Sequence, residues 1–108
     1  MTDLLVVSTT TPDEPLAARI AAAAVDARLA ACAQVHGPLR STFRWDGAVE
    51  QATEWCCQLK TTRAAYPALA ALIRALHPYE LPEIIAIPIV EGHPPYLAWI
   101  ADTTSGPP

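Results

Sequence analysis

Leu76-His77-Pro78-Tyr79-Glu80-Leu81-Pro82-Glu83-Ile84-Ile85-Ala86-Ile87-Pro88-Ile89 joins an alanine- and leucine-rich segment to a run of β-branched residues. A residue before proline is pushed out of the helical region, so a helix is expected to end near His77. The β-branched run after Pro82 reads as a strand from Ile84 to Ile89. The joint brings His77, Tyr79, Glu80 and Glu83 together between a helix C-terminus and a strand start. A histidine, a phenol and two carboxylates make this the densest polar chemistry in an otherwise apolar chain.

Upstream, Leu4-Leu5-Val6-Val7-Ser8-Thr9 is a short apolar run that predicts a central strand buried on both faces. Thr10 to Asp13 reads as a turn, with Asp13 as the N-cap of a helix carrying Glu14 and Pro15 in its first turn. Leu16, Ile20, Ala23, Ala24, Ala27 and Ala31 recur at helical spacing, so the helix is expected to reach about Ala31. Cys32 to Val35 turns extended, and Gly37-Pro38 predicts a bulge or bend. Ser41 to Trp45 continues the strand to Asp46-Gly47, a strong hairpin signal. The return strand runs from Ala48 towards Thr61. Its alternation puts Trp55, Cys57 and Leu59 on a core face, and Glu54, Cys56, Gln58 and Lys60 on a mixed polar face.

A second helix opens at Thr62 or Ala65, with Ala68, Leu69, Leu72, Ile73 and Leu76 as its apolar face. After the organising joint and its strand come a Gly92 to Pro95 loop and a short helical piece, Tyr96 to Ile100. Thr103 to Pro108 reads as a frayed tail. Strand, helix, strand, strand, helix, strand is the split βαβ order, so the expected class is α+β, ferredoxin-like, in a single domain over 1–108.

Composition narrows the function. The chain is 52% hydrophobic and 17% charged, against a usual charged share of about 25%. A 108-residue domain cannot hide that apolar load alone, so other subunits are expected to cover part of it. The net charge of −4, with no basic stripe, argues against a nucleic-acid partner. No apolar run approaches the ~20 residues that span a bilayer, so no membrane partner is expected. The start, Met1-Thr2-Asp3, has no positive n-region, and an odd count of 3 cysteines fits reduced thiols in the cytoplasm. Eleven prolines restrict the unfolded chain and predict high stability.

The residues also exclude common chemistries. Cys32 and His36 are four apart in an extended segment, roughly 13 Å, too far for one ion. Cys56 and Cys57 point to opposite faces, so no closed zinc site is read. No G-x-S-x-G motif or phosphate loop is present, and no enzyme activity is expected. His77 has a plain reading as a helix C-terminal group bonding the last carbonyls. Trp45, Glu54, Lys60, Tyr79 and Glu83 are read as lining a cleft where subunits meet. The plain alternative makes Trp45 and Tyr79 interface aromatics and pairs Lys60 with Glu54 or Glu83.

Five stretches carry a resemblance: Leu29 to Val35, Ser41 to Gly47, Glu54 with Leu59 to Thr62, His77 to Ile84, and Tyr96 to Ile100. In this order and spacing they resemble the CutA divalent-ion tolerance proteins, from about Val6 to Ile100. The resemblance implies a tight homotrimer with strands pairing across subunits, copper(II) or another divalent cation as ligand, no covalent cofactor, and a role in metal tolerance. Some members of that family carry a cysteine at the end of the first strand, where this chain reads Ser8-Thr9-Thr10. The metal role therefore carries over onto His77 alone. Phe43 and Gln34 stand where the family often has Tyr and Asn. The architecture is similar to that of the PII signalling trimers, so a regulatory module binding a small ligand in the inter-subunit cleft is the alternative function.

Overall fold

β1 (Leu4–Thr11) is the strand around which the rest assembles. It is followed by α1 (Glu14–Asp26), β2 (Cys32–Trp45), β3 (Ala48–Thr62), α2 (Tyr66–Leu76), β4 (Ile85–Pro88) and α3 (Pro94–Thr103) in a computed structural model that describes residues 3–104. The four-stranded sheet has the order β2-β3-β1-β4, and each neighbouring pair is antiparallel. This is the α+β, ferredoxin-like arrangement expected from the element order.

β1 is buried because both neighbours pair with it and both faces are covered. Alternation sends Val7, Cys57 and Leu59 to one face, where Ile20 and Ala24 of α1 and Leu69 and Ile73 of α2 close the main core. Ala17 of α1 joins them with no exposure, a contact that its Ala-rich surroundings did not single out. Leu4 looks the other way, onto a smaller cluster with Ala31 and Ile100 of α3.

Helix ends follow local chemistry. Asp13 caps α1, its Oδ1 accepting from the Leu16 N–H at 2.9 Å. The helix stops at Asp26, short of the expected Ala31. Ala27 is the C-cap, and Arg28 takes φ +60°, which no continuing helix tolerates. The alanines beyond it then form an irregular link to β2, where the Ala31 N–H bonds the Lys60 carbonyl at 2.8 Å. Thr10 and Thr11, expected in a turn, extend β1 because they pair with Cys56 and Trp55. At the other end, α3 is longer than expected and takes in Thr103. Thr104 is buried, so neither residue belongs to a frayed tail. Ser105 to Pro108 lie outside the described residues.

The β2–β3 hairpin outruns the sheet. β1 pairs with β3 only as far as Thr11 with Trp55, whereas β2 and β3 stay paired to Trp45 and Ala48. The projecting arm lengthens the molecule to 44 Å. Its turn is the two-residue Asp46-Gly47, with φ of +51° and +80°. At its root the register shifts between His36 and Leu39, the expected bulge. Gly37 sits there because a Cβ would lie 2.7 Å from the Trp55 ring. β4 spans Ile85–Pro88, shorter than the expected Ile84–Ile89, although the Ile89 N–H still bonds the Leu4 carbonyl of β1 at 2.9 Å.

Candidate functional site

The joint after α2 is built around His77, the C-cap of that helix, which is only 8% exposed. Its own N–H closes the helix on the Ile73 carbonyl at 2.9 Å. Its ring does not bond the last helical carbonyls. Nε2 instead reaches the Thr10 carbonyl at the end of β1, at 2.7 Å. A carbonyl only accepts, so Nε2 carries the proton. Nδ1 is then an acceptor, and the Tyr79 N–H donates to it at 3.2 Å. These two partners assign the neutral Nε2–H tautomer from the hydrogen-bond network. The Tyr79 ring lies against the imidazole, with centroids 4.7 Å apart.

Tyr79 carries the connection onward. Its hydroxyl donates to Glu54 Oε2 at 2.9 Å. Glu54 is only 7% exposed, on the part of β3 that passes the end of β1. Burial, then the hydrogen bond and charge of Glu54, and last the charge of Asp13, push the Tyr79 phenol up to about 12. One chain of bonds thus joins β1, the C-terminus of α2, the joint and β3.

An open cleft of about 970 Å³ lies between the hairpin arm and the joint. Trp45, Glu54, Tyr79 and Glu83 all line it, so four of the five residues read as a cleft are brought together. Lys60 is not among them. It shares the Glu54 face of β3 but lies six positions along the strand, roughly 20 Å away. Its Nζ donates to Gln34 Oε1, which replaces the expected pairing with Glu54 or Glu83. Phe43, Arg44 and Leu81 also line the cleft and were not singled out for it in the sequence. Phe43 was recoverable, because alternation puts it on the Trp45 face of β2. The Thr10 carbonyl was not, because a main-chain acceptor leaves no mark in a sequence.

The cysteines are placed apart from this chain of bonds. Burial first and the Glu83 charge second raise the Cys56 thiol. Burial, then Cys56, pushes Cys57 to about 12. Cys32 Sγ meets the Tyr96 hydroxyl at 3.4 Å, and that contact, ahead of burial, raises the Tyr96 phenol. Among the described residues, no three His, Cys, Asp or Glu side chains are grouped to hold a metal ion. His77, the ligand implied by the resemblance, has both ring nitrogens engaged within the chain. The described residues of a single chain do not fit a resident metal ion. No helix of the described residues is long and apolar enough to cross a membrane.

A split βαβ sheet, a projecting hairpin and a cleft closed by a His-Pro-Tyr-Glu joint define a small α+β domain of one recurring class. The family described as CutA1 divalent ion tolerance protein matches residues 5–103. The divalent-cation tolerance protein CutA of Thermus thermophilus is 46% identical over 99 residues, covering 92% of this chain and 96% of that protein. Its solved structure superposes with a TM-score of 0.92 at 44% identity, covering 94% of this chain and 99% of the other. The structure of the periplasmic divalent cation tolerance protein CutA of Archaeoglobus fulgidus gives 0.91 at 34% identity, covering 94% and 99%. Mouse protein CutA is 41% identical over 95 residues and 88% of this chain, which spans only 54% of its length. This chain belongs to the CutA1 divalent ion tolerance protein family.

Proposed function

We propose that this protein serves tolerance of divalent cations, copper(II) among them, as a non-enzymatic homotrimer in the cytoplasm. The family match across residues 5–103 carries this reading. The Thermus and Archaeoglobus relatives named above are called tolerance proteins, which favours it over a module for a small regulatory ligand. Assembly is supported by apolar side chains left in water. Ile85 and Ile87 on the edge strand β4 are 49% and 56% exposed, and Phe43, Trp45 and Val49 are exposed on the arm. A cation site in this reading draws ligands from more than one subunit, because no described group within one chain supplies three.

Native mass spectrometry with and without copper(II), with zinc(II) for comparison, tests both halves of the proposal. A trimer that takes up copper in fixed ratio to its subunits is the expected result. A trimer that stays metal-free would remove direct cation binding from the proposal, and a monomer would remove the assembly.

A further inference from the structure

We infer that His77 in this chain is a positioning residue that locks the joint to β1 and aims Tyr79 and Glu54 at the cleft, and that it is not a cation ligand. A metal needs a ring nitrogen with a free lone pair. Nε2 spends its proton on the Thr10 carbonyl at 2.7 Å, so it has no lone pair to offer. The lone pair of Nδ1 is taken by the Tyr79 N–H at 3.2 Å. Turning the ring over would set the carbons Cε1 and Cδ2 in the place of these contacts and break both bonds in a site only 8% exposed. A buried donor or acceptor left without its partner keeps its full desolvation cost.

The bonds also explain what His77 does. The Tyr79 N–H is fixed by Nδ1, and the Tyr79 ring is set against the imidazole at 4.7 Å. That placement brings the phenol to Glu54 at 2.9 Å and turns the carboxylate into the cleft. Removing the imidazole frees Tyr79 and disturbs the cleft wall at a distance. Loss of a cleft property in His77→Ala therefore does not identify His77 as a ligand. Amide side chains separate the two roles, since they replace the hydrogen bonds while being poor ligands for copper(II). The longer amide introduced by His77→Gln can donate to the Thr10 carbonyl. The shorter amide introduced by His77→Asn can accept from the Tyr79 N–H.

The experiment uses the full chain in its native assembly. Nitrogen-15 NMR of the His77 ring is expected to report the neutral Nε2–H tautomer, unmoved by stoichiometric zinc(II). His77→Gln and His77→Asn are expected to take up copper(II) within about twofold of the parent and to recover part of the melting temperature lost in His77→Ala. The phenol titration of Tyr79, read by ultraviolet absorbance, should fall towards its ordinary value in His77→Ala and less so in His77→Asn. Folded Gln and Asn variants that both lose copper uptake would overturn the inference, as would zinc-dependent movement of Nδ1. If the parent binds no cation, direct binding fails as a function while His77 is still decided. The Nε2–H tautomer with the graded Tyr79 titration supports the positioning role, and an Nδ1–H tautomer or an unmoved titration defeats it.

Discussion

The Tyr79 hydroxyl and Glu54 Oε2 are 2.9 Å apart across a sequence separation of 25 residues, and this bond ties the joint after α2 to the arm-bearing strand. Glu54 is 7% exposed, so it is a buried carboxylate whose described partner is one phenol. Tyr79→Phe removes the donor and leaves the acceptor. We expect a loss of about 1–3 kcal/mol, because the carboxylate keeps its desolvation without its bond. Glu54→Gln should cost less, since an amide oxygen still accepts. Urea unfolding of the two variants and their double mutant would give the coupling directly. An unchanged midpoint in Tyr79→Phe would show that the bond carries no stability.

The same bond sets a pH dependence. The Tyr79 phenol is raised from an ordinary 10 to about 12, with burial first among the causes and Glu54 next. Between those values the folded protein holds a proton that the unfolded chain has released. Stability contributed by Tyr79 is therefore complete below pH 10 and is lost as pH rises towards 12. Absorbance titration of the parent minus Tyr79→Phe should give a single late step. A step at the ordinary phenol value would mean that Tyr79 stands free of Glu54 in solution.

Much of this architecture was legible because it is written in local punctuation. Asp46-Gly47 marks its hairpin because positive φ is needed at both positions, and the structure has it at both. His77-Pro78 marks the end of α2 because proline restrains its predecessor. The exit from α1 was not legible. Ala27, Ala30 and Ala31 are strong helix formers, and only tertiary pairing with Lys60 and Thr61 pulls the chain away. Lys60 lies outside the cleft of the single chain for a related reason. Alternation assigns a face correctly but is blind to distance along it. The His77 site was half legible, since its side chains cluster in sequence while its main anchor, the Thr10 carbonyl, comes from another element.

Thiol reactivity should be ordered by burial. Cys57 has no exposure, and Cys56 is 7% exposed with its thiol raised by burial and by Glu83. Cys32 is half-buried at the edge of the sheet, in contact with Tyr96. Since the thiolate is the reactive form, Cys56 and Cys57 should resist a thiol reagent until the protein unfolds. Labelling of the folded protein should be confined to Cys32 and vanish in Cys32→Ser. Modification of Cys57 at neutral pH under native conditions would contradict the packing of β3 against α1 and α2.

Gly37 tests the root of the arm. A Cβ there would meet the Trp55 ring at 2.7 and 2.8 Å and the Glu54 carbonyl at 3.2 Å. Trp55 is packed against the main core and has little room to yield. Gly37→Ala should therefore destabilise by about 1–3 kcal/mol, as overpacked sites do. Thermal unfolding should show a drop of several degrees. A melting temperature equal to that of the parent would mean that the ring moves aside freely and that the bulge does not depend on glycine.

Assembly can be tested on β4 by the two faces of one strand. Ile85 and Ile87 point to the same face by alternation, and both remain largely exposed on a strand that pairs only with β1 among the described residues. Ala86 lies between them on the opposite face. If a neighbouring subunit covers the isoleucines, Ile87→Lys buries an unpaired charge at that contact. The mass from light scattering should then fall from trimer towards monomer while far-ultraviolet circular dichroism holds. Ala86→Lys, on the other face, should leave the mass at that of the parent. The contrast separates an interface from a general loss of fold, because both variants place the same charge on the same strand. An Ile87→Lys protein with the parent's mass would mean that the isoleucine face of β4 is not where the subunits meet.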